Sequence, residues 1–260
     1  MTPAFCKTFL LALDIIDHTF PNGVVVTTSS INKFYSNGLD YESAIKTKRF
    51  FEDSLYPLWR RLLTYVEIYI QLLGCFALAH PTALTKCLPS YPMPTLALIN
   101  GHAFAAGLMT AMMHDYRIMN PHRGYVCLNE LDFGAPLKPP MASIFRQKLP
   151  RPDTYRTMIL ESKRLNALEA LKEGIVDGLG GWEETKGFVG EMKLMKRGQS
   201  GVYGILKAEM WKETVQLLEI GEEKELEESA IQRVANLRRH EDAKVQVEQW
   251  EKKRKGRAKL

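Results

Sequence analysis

The chain has 260 residues, of which 45% are hydrophobic and 25% charged, a composition typical of a globular protein with a sizeable core. The net charge is only +5 and much of the surplus lies in residues 252–259, which argues against a nucleic-acid-binding surface. The four cysteines form no C-x-x-C pair, so neither a zinc site nor a disulfide framework is indicated, and no uncharged apolar run reaches the roughly 18 residues of a membrane span.

The first predicted elements are a helix and a strand. Thr2-Pro3 is a good helix start, because Thr is a preferred N-cap residue and Pro fits the first helical position. A Pro-Asn-Gly turn then leads into an apolar strand at 24–28.

A turn and a long helix are predicted next. The turn covers residues 33–40 and contains a glycine, and an amphipathic helix is predicted over 41–65. Because proline lacks the backbone N–H that a helix interior needs, Pro57 predicts a kink or two shorter helices.

The stretch with most chemical information is residues 94–130. An apolar run at 95–99 predicts a buried strand, a turn of small residues follows at 100–107, and a helix is predicted over 108–114. A turn without bulky side chains at a helix N-terminus leaves free backbone N–H groups where an anion can approach.

Two further strands, at 116–119 and 125–128, lead to Asn129-Glu130. Glu130 is thus a carboxylate just past an apolar strand. The sequence therefore predicts an oxyanion site and a base close together, and the earlier strand and turn offer N–H groups from a second side.

The rest of the chain is predicted to be helical, and Gly174 is expected to end one of these helices. The predicted helices are 139–148, one capped by Asp153, one from Asn166, 184–197, 202–220 and a highly charged one at 222–255.

Four segments carry a resemblance to a known family: FYSNGLD, PTLALINGHAFAAG, HDYRIM and LNELDFGAPL. They resemble the crotonase (enoyl-CoA hydratase/isomerase) superfamily, and within it the peroxisomal Δ3,Δ2-enoyl-CoA isomerases of fungi and plants. The resemblance covers most of residues 3–220. It implies an α/β fold, with a crotonase core built as a ββα superhelix in residues 1–150 and a helical C-terminal region in 151–260. The strands that usually precede the first helix are missing, so we expect a short first sheet layer.

Residues 66–90 interrupt the family pattern, since in the relatives RRLLTY runs directly into PMPTLALINGHAFAAG. The insert is apolar and lacks a clear helical or strand period. A codon for Val66 begins with GT and a Ser90 codon can contain AG, so one hypothesis is a translated, unspliced intron. The alternative is a genuine apolar hairpin or partner-binding segment.

The resemblance also implies roles for individual residues. The backbone N–H groups of Leu39 and Ala106 would form the oxyanion hole, and Glu130 would be the catalytic base, with Asp132 as a weaker candidate. His102, in the oxyanion turn, is expected to be structural, and His114-Asp115, at the helix end, to form a cap or an ion pair. The residues expected to contact substrate are Ser36, Asn37, Gly38, Asp40, Ala105, Gly107 and Asn129.

The residue at position 109, here Met109, distinguishes a hydratase from an isomerase. Hydratases of this superfamily usually carry a second Glu at this position, which holds the attacking water, and a thioether cannot activate water. The implied activity is isomerisation of 3-enoyl-CoA to 2-trans-enoyl-CoA in fatty acid β-oxidation. The alternatives are an enoyl-CoA hydratase-like enzyme of a secondary pathway and a pseudoenzyme or assembly subunit.

No metal or redox cofactor is implied, and CoA enters as part of the acyl-CoA substrate. The C-terminal Ala258-Lys259-Leu260 resembles the Ser-Lys-Leu address read by the peroxisomal import receptor. By family resemblance the C-terminal helices predict a homo-oligomer, a trimer or hexamer.

Overall fold

The structure is a computed structural model that describes residues 1–64, 93–220 and 222–257. The chain forms two compact units, Met1–Glu219 and Ile220–Leu260. The segment 66–90 and the terminal tripeptide lie outside the described residues, so their interpretations stay predictions. No helix in the described part of the chain is long and apolar enough to cross a membrane.

The first helix, α1, spans Pro3–Thr19 and begins as predicted. The hydroxyl of Thr2 accepts a hydrogen bond from the N–H of Phe5 at 3.2 Å, and Pro3 occupies the first helical position. Leu13 is buried on the inner face of the helix.

The predicted helix over 41–65 is broken. It consists of α2 (Tyr41–Lys46), a π-helical turn (Phe51–Leu55) and α3 (Tyr56–Thr64). The break lies at residues 47–49, where Arg49 has φ +57°, and the helical run then continues from Phe51 through Pro57 to Thr64. Shorter helices are therefore present, but the prediction that Pro57 marks the break was wrong.

The larger sheet has four parallel strands in the order β1–β3–β5–β7. Its central strand β3 (Thr95–Ile99) is buried at every residue and pairs on one side with β1 (Val25–Thr27) and on the other with β5 (Tyr116–Met119). The short β7 (Gly178–Leu179) closes the other edge beside β5. Buried on both faces, β3 needs the continuous apolar run that the sequence has there.

A second, three-stranded parallel sheet has the order β2–β4–β6. Its strands are β2 (Phe34–Ser36), β4 (His102–Phe104) and β6 (Val126–Cys127). The prediction that 33–40 and 100–107 are turns throughout was therefore wrong, because each contains a strand that pairs with the other. A strand of three residues has little local signal, and its existence depends on the partner strand.

The strands thus form three successive units, β1–β2, β3–β4 and β5–β6. Each unit, called a repeat below, contributes one strand to the large sheet, one to the small sheet and then a helical segment. In the second repeat this is α4 (Ala106–Met112) and in the third a 3₁₀ turn (Glu130–Phe133). This is the ββα order that the family resemblance implies, and it brings the three segments that follow β2, β4 and β6 to one edge of the small sheet.

Helices follow in the rest of the first unit. The predicted helix 184–197 is split in two at Lys193, which has φ +51°. The predicted helix 202–220 is split in two at Trp211, which leaves helical geometry. The helix after Arg151 begins at Pro152, so Asp153 lies in its first turn and is not its cap; Gly174, with φ +71°, ends its helix as predicted. These helices are α5 (Pro139–Lys148), α6 (Pro152–Leu160), α7 (Ala167–Lys172), α8 (Trp182–Glu191), α9 (Leu194–Gly198), α10 (Tyr203–Met210) and α11 (Lys212–Glu219).

The second unit contains one long helix, α12 (Glu222–Arg257), close to the predicted 222–255. Its Val234 and Leu237 side chains are exposed.

Candidate active site

Two turns that the sequence singles out lie against each other. A Cβ added to Gly107 would be 2.4 Å from the carbonyl oxygen of Ser36, and one added to Gly38 would be 3.2 Å from that of Phe104. Only glycine permits the first approach. The small residues at these positions therefore bring the start of α4 into contact with the loop that follows β2.

Ala105 connects β4 to α4 in a strained conformation, with φ +50° and ψ −129°. Its N–H donates to the carbonyl oxygen of Cys127 at 3.0 Å, which ties the turn to β6. Non-glycine residues in such sparsely populated regions cluster at functional sites, where the surroundings hold them in place.

The backbone N–H groups of Leu39 and Ala106 have no hydrogen-bond acceptor within residues 1–64, 93–220 and 222–257. Ala106 is the first residue of α4, so its N–H has no partner inside the helix. Gly38 is the residue before Leu39, and a Cβ added to Gly38 would lie 3.4 Å from the backbone nitrogen of Ala106. The two free donors thus lie on adjoining segments, as an oxyanion hole requires.

Glu130 is the first residue of the 3₁₀ turn that follows β6, and it is only 8% exposed. Its Oε2 atom is buried and has no hydrogen-bond partner among the described residues. Burial raises the pKa of Glu130 to about 7. A carboxyl group with this pKa can take up a proton and return it near neutral pH.

Met109 is buried on the same helix that begins at Ala106, and its exposure is 1%. The position at which hydratases are expected to carry a second Glu is thus filled by an apolar side chain. The neighbouring Met112 and Met113 are fully buried in the core. Among the described residues, no group of three or more His, Cys, Asp or Glu side chains could hold a metal ion.

The other predicted contact residues lie in the same two segments but differ in exposure. Asn37 and Asp40 are exposed, and the Asp40 carboxylate accepts from the N–H of Ser43 as the N-cap of α2. The hydroxyl of Ser36 accepts from the N–H of Gly38 at 3.2 Å. Asp40 and Ser36 thus shape the loop before Leu39, and contact with substrate stays a prediction.

Asn129 and Asp132 flank the candidate base. The Oδ1 atom of Asn129 is buried and, within the described part of the chain, has no hydrogen-bond partner. Asp132 is exposed, whereas Glu130 is buried. The structure therefore favours Glu130 over Asp132 as the base.

His102 lies in β4, and its Nδ1 accepts a hydrogen bond from the N–H of Tyr125 at 3.1 Å. Its ring stacks on that of Tyr125 and packs against Phe34 and Phe104. These contacts hold the three strands of the small sheet together, in agreement with the structural role expected for His102.

No sequence pattern pointed to Thr27 and Tyr35, which belong to a partly buried hydrogen-bond network behind the two turns. Tyr35 Oη is 2.9 Å from Thr27 Oγ1, which is 2.8 Å from His114 Nε2. His114 Nδ1 is 2.9 Å from the carbonyl oxygen of Thr110 on α4. Because these partners are up to 87 residues apart, no local pattern could have revealed them.

Comparison with known proteins agrees with this fold. Residues 77–255 match the enoyl-CoA hydratase/isomerase family, and the chain belongs to that family. The resemblance stated from the motifs is thereby confirmed.

The chain is similar to three curated Arabidopsis thaliana proteins. It is 30% identical to enoyl-CoA delta isomerase 1, peroxisomal, over 203 residues, covering 76% of this chain and 75% of the relative. It is 28% identical to enoyl-CoA delta isomerase 2, peroxisomal, over 83% of this chain and 85% of the relative. Its identity to enoyl-CoA delta isomerase 3 is also 28%, over 76% and 77% of the two chains.

Solved structures share the fold. Human mitochondrial delta3-delta2-enoyl-CoA isomerase superposes with a TM-score of 0.62 at 18% identity, covering 92% of this chain and 90% of that one. An enoyl-CoA hydratase from Mycobacterium marinum superposes with a TM-score of 0.63 at 18% identity, with 85% of each chain covered. The expected α/β crotonase fold with a helical C-terminal region is therefore confirmed.

Proposed function

We propose that the protein is an enoyl-CoA isomerase that converts 3-enoyl-CoA to 2-trans-enoyl-CoA in fatty acid β-oxidation. The observation that carries the proposal is Glu130, a buried carboxyl group without a partner for Oε2 among the described residues and with its pKa raised to about 7. It follows the strand whose Cys127 carbonyl binds the turn at Ala105.

In the first step, the Glu130 carboxylate removes a proton from C2 of the substrate. The C–H bonding electrons form a C1=C2 double bond, the C1=O π electrons move onto the thioester oxygen, and negative charge develops there. The N–H groups of Leu39 and Ala106 are the proposed donors to that oxygen. In enzymes that use such donors, each contributes about 3–4 kcal/mol to the transition state.

In the second step, protonated Glu130 returns its proton to C4. The double bond then lies between C2 and C3, the thioester carbonyl is restored, and the carboxylate is regenerated. Water is neither consumed nor released. One group can serve as base and then acid because its pKa lies near the operating pH.

Met109 favours isomerisation over hydration. A hydratase must position and activate water, and the superfamily's second Glu is replaced by a buried thioether that can do neither. The curated plant relatives carry isomerase names, which supports the same choice.

Substrate contacts are proposed for the segments that flank the two donors. CoA is part of the substrate, and its acyl chain would lie along the loop 36–40 and the turn at Ala105 and Gly107, close to Asn129. The surroundings of these residues are compatible with that role, since the backbone there is held by hydrogen bonds within the protein.

A peroxisomal location is proposed from two observations. Two curated relatives are named peroxisomal, and the chain ends in Ala258-Lys259-Leu260. The partner implied is the import receptor that reads such a tripeptide. Self-association into a trimer or hexamer is proposed by family resemblance.

The test is turnover of a 3-enoyl-CoA by the purified protein and by Glu130→Gln, which keeps the size of the side chain and removes its basicity. We expect kcat to fall by about 10²–10⁴-fold in the variant. A parallel assay supplies 2-enoyl-CoA and follows the addition of water. Faster hydration than isomerisation would favour a hydratase, and wild-type turnover that Glu130→Gln leaves unchanged would remove Glu130 as the base.

A further inference from the structure

A partly buried network of hydrogen bonds joins the two segments that carry the proposed oxyanion donors. At one end is Tyr35 in β2, four residues before Leu39. At the other is Thr110 in α4, one helical turn after Ala106. Thr27 and His114 lie between them. The successive distances are 2.9 Å from Tyr35 to Thr27, 2.8 Å from Thr27 to His114 and 2.9 Å from His114 to Thr110.

The direction of each hydrogen bond follows from the chemistry of His114. Burial lowers its pKa to about 3, so the ring is neutral and carries one proton. The carbonyl oxygen of Thr110 can only accept, which assigns that proton to Nδ1. Nε2 is then an acceptor, so Thr27 donates to it and Tyr35 donates to Thr27. All donors thus point from the first turn towards the second.

The network also reaches the helix turn that begins at Ala106. The hydroxyl of Thr110 donates to the carbonyl oxygen of Ala106 at 2.8 Å and accepts from the indole N–H of Trp59 at 2.8 Å. Thr110 is therefore held through its carbonyl by His114 and through its hydroxyl by Trp59. A network of this kind is more rigid than its separate bonds, since each bond polarises the next.

We propose that His114 and Thr27 are positioning residues that fix the distance between the Leu39 and Ala106 N–H donors by bonding the two strand–turn–helix units together behind them. They touch no reacting atom. The inference rests on the proposed function, because it assigns the network to the same oxyanion site.

The decisive variant is Thr27→Val, which removes the hydroxyl and preserves the shape of the side chain. We expect kcat for 3-enoyl-CoA to fall about tenfold, a fraction of the roughly 10²-fold that a 1 Å misplacement can cost. KM should change less than about twofold, because the donors contribute most when charge develops on the oxygen. Thr27→Ser retains the hydroxyl and should restore most of kcat.

The matched control is Thr185→Val in α8. Thr185 is buried, and its hydroxyl donates to the backbone carbonyl of Gly181 at 2.8 Å. It lies outside the network, so its loss should leave kcat unchanged. Equal kcat losses in Thr27→Val and Thr185→Val, or in Thr27→Val and Thr27→Ser, would overturn the proposal.

A second measurement is independent of turnover. In ¹⁵N-labelled protein, Thr27→Val should shift the amide resonances of Leu39 and Ala106, and Thr27→Ser should bring them back. Changes confined to the neighbours of Thr27 would overturn the positioning role. If wild-type protein turns over no 3-enoyl-CoA, the proposed reaction fails, and the amide shifts still decide whether the network links the two turns.

Discussion

Asp115 and Glu130 are both carboxylates shielded from solvent near a strand end, but their surroundings are opposite. The Asp115 side chain is 9% exposed and accepts from the N–H of Thr95 at 2.8 Å, from its hydroxyl at 3.2 Å and from the Lys207 ammonium at 2.9 Å. Glu130 is 8% exposed, and its Oε2 has no such donor in the described part of the chain.

The difference separates a structural charge from a reactive one. A buried charge is tolerated when it is paired and hydrogen-bonded, and removing its partner is strongly destabilising. In a buried carboxyl group with an unbonded oxygen the charged form is penalised by burial, so its pKa rises and it can accept a proton at neutral pH. The Asp115 ion pair was expected from the sequence, and the structure confirms it with Lys207 as the partner.

Replacing Asp115 should give the largest effect on stability. Asp115→Asn leaves the Lys207 ammonium buried without its carboxylate, which we expect to lower the free energy of unfolding by about 3–5 kcal/mol. The kcat of the folded protein should stay within a few-fold of wild type. Urea denaturation measures the first quantity, and assays below the unfolding transition measure the second.

The control for that variant is Glu183→Gln, which removes the partner of Lys186 in an exposed pair whose side chains are 54% and 76% exposed. Surface pairs contribute at most about 1 kcal/mol. If both variants lost the same small amount of stability, the buried pair would have no special role and the comparison with Glu130 would fail.

Gly107→Ala should separate the two turns. The added Cβ would be 2.4 Å from the carbonyl oxygen of Ser36, a backbone atom that cannot rotate away. We expect kcat to fall by about 10²-fold, because the oxyanion donors would move by a fraction of an ångström or more. Gly187→Ala in α8 is the control: a Cβ there meets nothing within 4 Å, and the change should stabilise the helix by up to about 1 kcal/mol.

The pH dependence of kcat/KM tests the raised pKa of Glu130. The base must be ionised, so with a pKa of about 7 we expect kcat/KM to fall about tenfold per pH unit below that value and to level off above it. A profile that is flat from pH 5 to 8 would contradict a raised pKa.

The stability of Glu130→Gln checks the same shift without turnover. The folded state raises the pKa of Glu130 from 4.5 to about 7, so the folded protein binds the proton more tightly than the unfolded chain. Wild-type stability relative to the Gln variant should then fall as pH rises from about 4.5 to 7, by at most roughly 3 kcal/mol. Thermal unfolding of both proteins at pH 5 and pH 8 gives this difference.

Local sequence signals explain what could be predicted. Strands 95–99 and 116–119 were predicted at their observed limits because apolar runs between turn residues leave few alternatives. The start of the first helix follows from the N-cap preference of Thr2 and the fixed φ of Pro3. Glu130 was found through its motif, since a carboxylate after a strand has no burial signal of its own.

Long-range pairing explains what was missed. β2 and β4 are three-residue strands that depend on each other, and no residue near Thr27 reveals that His114 will accept from it. Lys207 likewise finds Asp115 from 92 residues away. Such contacts become visible only when the fold brings the segments together.

The smallest expected effect concerns the insert at 66–90. Lys207 Nζ donates to the carbonyl oxygen of Leu62 at 2.8 Å and lies 3.4 Å from Thr95 Oγ1, so one buried ammonium contacts both flanks. Because these described flanks are already close in space, joining Tyr65 to Tyr91 should leave the midpoint of thermal unfolding and kcat unchanged. An unfolded or inactive deletion variant would show that the insert is part of the functional protein and would argue against the intron hypothesis. A folded, active variant would show that neither the fold nor turnover needs the insert.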